Sequence, residues 1–302
     1  MGAATGVDDF GRRPALLTMQ TLTPADVEHF LAKGYVTIPS CFNRAFAQPL
    51  IDYAYERMGY APDDPTTWTD PIRYLDHAHR FAVSDLCPRA WGAICDVLGG
   101  EDRIDPTVHR METIHFSSVE SFNWSDAFIV NFRYGADAPW QPSAPDTARW
   151  HQDGSFFRHF LDSPEQALLV VLQWTDTPPR SGGTFVACDF FIHVARFLAN
   201  HPESVDPGTT GALVEKCRDF IELTGQTGDL TLLHPFTLHT SSPNPSGHPR
   251  FMTNPPVALK APLDFNRADP ADFSLIERGV LRALGVDRYD FQPSAPREWY
   301  GL

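Results

Sequence analysis

The sequence predicts a mainly β fold with helices at its flanks. Three observations carry that expectation. Between about residues 107 and 262 the chain is a succession of short apolar and β-branched runs separated by turn residues, the pattern of a sandwich or barrel. Proline is abundant, at 27 of 302 residues, and aromatic residues make up 12%, which suits a loop-rich sheet protein better than a helical bundle. Helical periodicity is concentrated before and after that region.

Residues 1–20 read as a flexible leader, ahead of one domain spanning 21–302. TLTPADVEHFLAKGYVTIP then predicts a helix followed by a strand. Thr23 is the expected N-cap, Pro24 the first helical residue and Gly34 the stop. Val27, Phe30 and Leu31 form the expected buried stripe, and Tyr35 to Ile38 the strand. A second helix is expected over Ala45 to Met58 and a third over Pro88 to Leu98, with residues 60–80 as a long loop between them. The β-rich runs follow: TVHRMETIHFSS, DAFIVNFRYG, ALLVVLQWTD, GGTFVACDFF, DFIELTGQ, DLTLLHPF and FMTNPPVALKA. PESVDPGTTGALVEKC reads as a loop among them, and ADFSLIERGVLRALGV as a closing helix.

The formal charge is −14, from 24 basic and 38 acidic residues. No lysine or arginine run forms a stripe, which argues against nucleic-acid or anionic-membrane partners. No run of 18 apolar residues predicts a transmembrane helix, and the N-terminus lacks an apolar signal core. Five scattered cysteines without a C-x-x-C pair read as reduced thiols, so a cytoplasmic location is expected; Cys188 falls near the expected pocket rim by sequence.

The chemistry-bearing stretch is WHQDGSFF, residues 150–157. His151 and Asp153 stand two apart, which in an extended segment puts both side chains on one face. An imidazole and a carboxylate together are two of the three donors in a 2-His-1-carboxylate facial triad. Alone, H-x-D is common, and a histidine hydrogen-bonded to its neighbour explains it as well. A second histidine must come from another strand. GDLTLLHPFTLHTSSPNPSGHPRFMTN holds His234, His239 and His248, and the five-residue offset sets His234 and His239 on opposite faces of a strand. His234 is expected to be structural. Arg250, eleven residues past His239, could hold a distal carboxylate by a two-pronged hydrogen bond, with the Ser241 hydroxyl sharing it.

In this order, WHQDG, LQWTD with SGGTFV, and GDLTLLHPFTLHTSSPN followed by an arginine resemble the phytanoyl-CoA dioxygenase family over roughly residues 128–257. TPADVEHFLAKGYVTIP is similar to that family's opening helix and strand. The resemblance implies a double-stranded β-helix, a cupin-like jelly roll, and an Fe(II)- and 2-oxoglutarate-dependent oxygenase. It implies His151, Asp153 and His239 as iron ligands, Arg250 and Ser241 as holders of 2-oxoglutarate, and Trp174 as a border of the co-substrate pocket. It further implies a small-molecule substrate and O2 as partners, with a specialised metabolite suggested by the family's breadth. Some relatives replace the carboxylate to admit chloride; the retained Asp153 favours oxygenation. After GGTFV the sequence departs from the family pattern, reading ACDFFIHVARFLANHP, where His193 only loosely replaces an expected histidine.

Asn131 and Gln173 are expected near the co-substrate or satisfied by strand neighbours. Trp150, Phe156 and Phe157 are candidate substrate contacts, as are Trp68 and Tyr74 on a 65–81 lid. His77 and His79 in that segment read as surface residues rather than a second metal pair. Two other classes remain open: a cupin-type isomerase or hydrolase using the same ligands, and a non-catalytic jelly-roll binding module. No residue specifies the oligomeric state.

Overall fold

The computed structural model describes residues 21–106 and 121–300. The expected leader and the expected strand at 107–118 lie outside them. Local signals place the first element as expected. Helix α1, Pro24–Lys33, starts at Thr23, whose hydroxyl accepts from Asp26 N while the Asp26 carboxylate accepts from Thr23 N. It stops at Gly34 in the left-handed region, φ 75°, where a Cβ would meet the Phe190 ring at 2.5 Å. Of its expected stripe only Phe30 is fully buried; Val27 and Leu31 stay half-buried.

The main sheet is antiparallel. Strand β1 is Tyr35–Ile38, helix α2 Arg44–Met58, and strand β2 Ile72–Tyr74. Strand β3 is Arg80–Ala82, followed by helices α3, Val83–Leu86, and α4, Pro88–Leu98. Strands β4, Asn123–Ser125, β5, Ile129–Asn131, β6, Leu168–Gln173, and β7, Thr184–Ala187, come next, then helix α5, Phe190–Ala199. Strands β8, Phe220–Leu223, β9, Leu230–Leu233, β10, His239–Ser241, β11, Arg250–Thr253, and β12, Pro256–Val257, precede helix α6, Leu275–Leu284. The large sheet runs β1-β9-β6-β11-β5-β2, with β12 also on β6; a small sheet runs β10-β7-β8; β3 and β4 pair separately.

Three expectations change. The 60–80 segment is not a free loop, because β2 pairs with β5, Ile72 opposite Asn131 and Tyr74 opposite Ile129, and so forms a hydrogen-bonded sheet edge. ACDFF does not extend β7, because helix α5 begins at Phe190 and buries Phe190, Phe191, Val194 and Leu198. The 202–217 loop contains a 3-10 turn over Thr209–Lys216.

Burial on both faces explains why β6 is apolar from Leu168 to Leu172 before it ends in Gln173. Leu169 and Val171 join Val186, Cys188, Leu223, Leu233 and Met252 in a cluster drawn from both sheets. Leu168, Val170 and Leu172 face the other way, into the larger core shared with the helices. The cluster between the sheets is the floor on which the polar site stands. Cys188 belongs to it, buried with its thiol pushed up to about 12 by burial, and does not line the pocket rim. Among the described residues no helix is long and apolar enough to cross a membrane.

Helix α6 carries the fold's most connected charge. The Glu277 carboxylate, 1% exposed, accepts from Ser274 N, Asp264 N, Arg267 and Arg103. Glu277→Ala strips the helix of this cap and leaves both arginines without their partner, an expected loss of about 3 kcal/mol. Urea unfolding with an unchanged denaturant slope checks it.

Candidate metal centre

The site is built where a stray segment joins the small sheet. His151 N donates to His239 O at 3.1 Å, and His239 N donates to His151 O at 2.9 Å. This reciprocal antiparallel pair puts both imidazoles on one face, their centroids 4.4 Å apart. Asp153, two residues on, comes to the same face. Its Oδ1 lies 3.3 Å from His151 Nε2 and 3.5 Å from His239 Nε2. One potential ligand atom from each residue lies within 4.8 Å of the others.

The proton positions follow from the partners. His151 Nδ1 lies 2.9 Å from Arg149 O, and His239 Nδ1 3.1 Å from Thr237 O. A carbonyl only accepts, so each Nδ1 carries hydrogen, and a ring in its neutral form turns an Nε2 lone pair toward the carboxylate. Two lone pairs converging on an anion call for a cation among them. Two donors about 2.0–2.2 Å from a shared ion lie about 3.0–3.5 Å apart at octahedral or tetrahedral angles, as the two histidine–aspartate pairs do. The donor set therefore fits a divalent metal. Burial alone would raise the Asp153 carboxyl, but His239 and His151 outweigh it and hold it well below the usual carboxylate range. Burial opposes charge on His151, and the Asp153 carboxylate outweighs that, raising its imidazole.

Supports surround the triad. Asn254 Nδ2 donates to Asp153 Oδ2 at 3.2 Å, which leaves Oδ1 for the metal. Gly154 has φ 103°, and a Cβ there would meet the Phe157 ring at 2.5 Å. The buried His159 ring sits 2.8 Å from Gly154 O through Nε2 and stacks on Phe157 at 4.6 Å.

A cleft of about 290 Å³ opens over the triad. Arg250 lines it while only 4% exposed. Its Nε donates to Gln173 Oε1 at 3.3 Å and its Nη2 to Thr184 Oγ1 at 3.1 Å, joining the two sheets. Burial lowers the guanidinium to about 10, offset in part by Glu222. No carboxylate pairs with it among the described residues, so a cation stands at the cleft wall awaiting an anion. Ser241 and Thr184 face each other across the small sheet, two residues along from the His239–Val186 pair, about 7 Å. Both line the cleft.

The remaining expected residues divide. Asn131, Tyr74 and Phe156 line the cleft. Asn131 is also committed, donating to Ser242 O and accepting from Tyr134 N. Gln173 reaches the cleft only through Arg250 and also accepts from Thr177. Five expectations are corrected. Trp174 follows Gln173 and points to the opposite face, fully buried against Phe42 and Phe128 with Nε1 donating to Thr253. Trp150 precedes His151 and likewise turns away, packing on Phe220 and donating to Ala144 O. Phe157 packs behind the site on His159, and Trp68 is held in the core by Phe132 and Ala61 O. His193 lies on α5, away from the cleft lining.

His234 is fully buried among Phe30, Phe190, Phe191 and Phe236, its imidazole lowered to about 3 by burial. His79 pairs with Asp126 at 2.8 Å outside the triad. Sequence reasoning missed Asn254, Thr184 and Gln166. Only Thr184 had a usable signal, since period two in GGTFVA puts it on the face of Val186.

No family model matches the chain, and no curated protein does. Solved structures are similar at low identity. The non-heme α-ketoglutarate-dependent carbocyclase SnoK from nogalamycin biosynthesis is 15% identical, with 80% of this chain and 86% of that one covered and a TM-score of 0.45. HygX from Streptomyces hygroscopicus, with nickel and 2-oxoglutarate bound, is 12% identical over 80% and 88%, TM-score 0.45. EctD from S. alaskensis in its apo form is 15% identical over 79% and 76%, TM-score 0.44.

The site geometry predicts one divalent ion per chain. Calorimetric titration with Ni(II) should show affinity falling by more than about 100-fold in Asp153→Ala. Asn254→Ala, which frees only Oδ2, should lose about 10–100-fold.

Proposed function

We propose that the chain is an Fe(II)- and 2-oxoglutarate-dependent dioxygenase that hydroxylates or otherwise oxidises an unactivated C–H of a small organic substrate. The observation that carries this is the pairing of the triad, in one cleft, with a buried Arg250 that has no carboxylate partner among the described residues. A metal-dependent isomerase or hydrolase needs the triad but has no use for an arginine awaiting a dicarboxylate. A binding module needs neither. We also assign the two-sheet body to the double-stranded β-helix, a cupin-like jelly roll, and residues 21–302 to one domain of the phytanoyl-CoA dioxygenase type. In support, the chain passes repeatedly between the two sheets from β6 to β11, with β6, β9 and β11 in the large one and β7, β8 and β10 in the small one.

His151, Asp153 and His239 would hold Fe(II), leaving positions open for co-substrate and O2. When bound, Fe(II) would relay electrons to O2, the net electrons coming from the decarboxylation of 2-oxoglutarate and from the C–H. Arg250 receives the far carboxylate of 2-oxoglutarate, with Ser241 and Thr184 beside it. Gln173 and Thr184 fix the guanidinium before the ligand arrives, so little ordering remains on binding. The apolar floor between the sheets excludes water. The balance is one O2, one 2-oxoglutarate and one C–H in; one alcohol, one succinate and one CO2 out. One oxygen atom of O2 enters the alcohol and the other enters the new succinate carboxyl, whose second oxygen is the former keto oxygen of 2-oxoglutarate. The retained Asp153 carboxylate favours this outcome over halide transfer.

The test is 2-oxoglutarate decarboxylation with Fe(II) and O2, followed as succinate. Asp153→Ala should abolish it. Arg250→Ala should raise the 2-oxoglutarate KM about 10–100-fold, as expected for a lost charge-assisted hydrogen-bond pair of about 1.5–3 kcal/mol. Absence of succinate from the wild type under every substrate supplied contradicts the assignment.

A further inference from the structure

The cleft has two chemically different ends. Strand register orders them. β11 begins at Arg250; Asn254, just past its end, holds Asp153; and β12 then pairs Pro256 with Leu169. Gln166 precedes Leu169 by three residues, so it stands beyond the triad as seen from Arg250. The Arg250 end presents a guanidinium and the Thr184 and Ser241 hydroxyls. The Gln166 end is walled by Ala127, Phe156, Pro255 and Pro256, with Ser125 beside them.

Among the described residues this far end carries no charge. Among the described residues lining the cleft, Arg250 is the one lysine or arginine and Asp153 the one carboxylate. The first serves the co-substrate and the second the metal. A charged substrate group would lose its water there and find no partner among the described residues. The nearby carboxylates of Asp162 and Glu165 do not line the cleft. They turn to Arg297, 2.7 and 4.0 Å away.

Gln166 is the amide in this largely apolar wall. It is 4% exposed, it lines the cleft, and its Nε2 has no hydrogen-bond partner among the described residues. A buried amide left unpaired is destabilising, and such groups are rare unless something outside the fold completes them. An acceptor oxygen on a bound molecule would be that missing partner once the amide turns toward the cleft, since Nε2 has almost no exposed surface as it stands. A site built to hydrogen-bond its ligand rejects the analogue lacking the group, because the protein amide is then stranded.

We propose that the far end binds an uncharged, largely apolar substrate whose carbonyl or hydroxyl oxygen accepts a hydrogen bond from Gln166, and that this bond selects the C–H presented to the metal. The assignment of roles to the two ends rests on the dioxygenase reading; the recognition by Gln166 is measured separately from it.

The experiment uses the full chain loaded with Ni(II) and saturating 2-oxoglutarate, so that the Arg250 end is filled and no turnover occurs. Four probes of one shape are compared by calorimetry and ligand-observed NMR: 1-tetralone, tetralin, 1-aminotetralin and tetralin-1-carboxylate. The ketone should bind about tenfold more tightly than the hydrocarbon, and the two charged probes no better than the hydrocarbon. Gln166→Leu should erase the ketone's advantage, keep the affinity for tetralin, and leave Tm unchanged or higher, since leucine fills the volume without an unpaired amide. Equal binding of ketone and hydrocarbon by the wild type, no binding of any probe, or a preference that survives Gln166→Leu overturns the proposal. A fall of several degrees in Tm for Gln166→Leu also overturns it, by revealing a structural partner for the amide. If the ketone preference holds but 2-oxoglutarate does not bind, the dioxygenase reading fails and the recognition stands. If 2-oxoglutarate binds and the preference is absent, the reverse is true.

Discussion

Everything at the centre of this protein depends on one crowded oxygen. Asp153 Oδ1 faces the Nε2 atoms of His151 and His239 at 3.3 and 3.5 Å, and the opposite nitrogen of each ring is tied to a backbone carbonyl. Those ties choose the tautomer, and the tautomer aims lone pairs at an anion. The arrangement is tolerable only with a positive charge in the middle. Its precision comes from the backbone, since the His151–His239 pair is a two-bond antiparallel bridge rather than a meeting of long side chains. Gly154 then lets the chain turn away at once, and Asn254 takes the carboxylate's second oxygen.

A second charge answers the first. Arg250 opens β11 on the same inner face and is held by Gln173 and Thr184, one from each sheet. Burying a guanidinium beside an apolar cluster costs several kcal/mol without a partner. A dicarboxylate with one end on the metal and the other on Arg250 would satisfy both charges together, which is why neither is well explained alone. The fold makes this affordable through rigid strands, with Leu169, Val171 and Met252 packed beneath the polar wall.

Much of this was legible in the sequence, for local reasons. Thr23, Pro24 and Gly34 bound α1 because caps act over three or four residues. His151 and Asp153 share a face because extended chain alternates. What was not legible depends on distant pairing. Ile72–Tyr74 reads as loop until Ile129–Asn131 is beside it, and that pairing turns an expected lid into a sheet edge. Trp174 and Trp150 each sit one residue from an inward side chain, so alternation sends both outward into the core. Their proximity in sequence was misleading for the same reason that the H-x-D spacing was informative. Gln166 and Asn254 lie outside strand cores, where no period marks the inner face.

The central claim is that the triad and Arg250 act on one bound molecule. Anaerobic titration of 2-oxoglutarate into the Fe(II)-loaded chain, read by visible absorption, tests it most directly. A metal-to-ligand charge-transfer band should grow to one equivalent, be absent in Asp153→Ala, and require a higher 2-oxoglutarate concentration in Arg250→Ala. No band in the wild type, or a band whose midpoint ignores Arg250, would contradict the account.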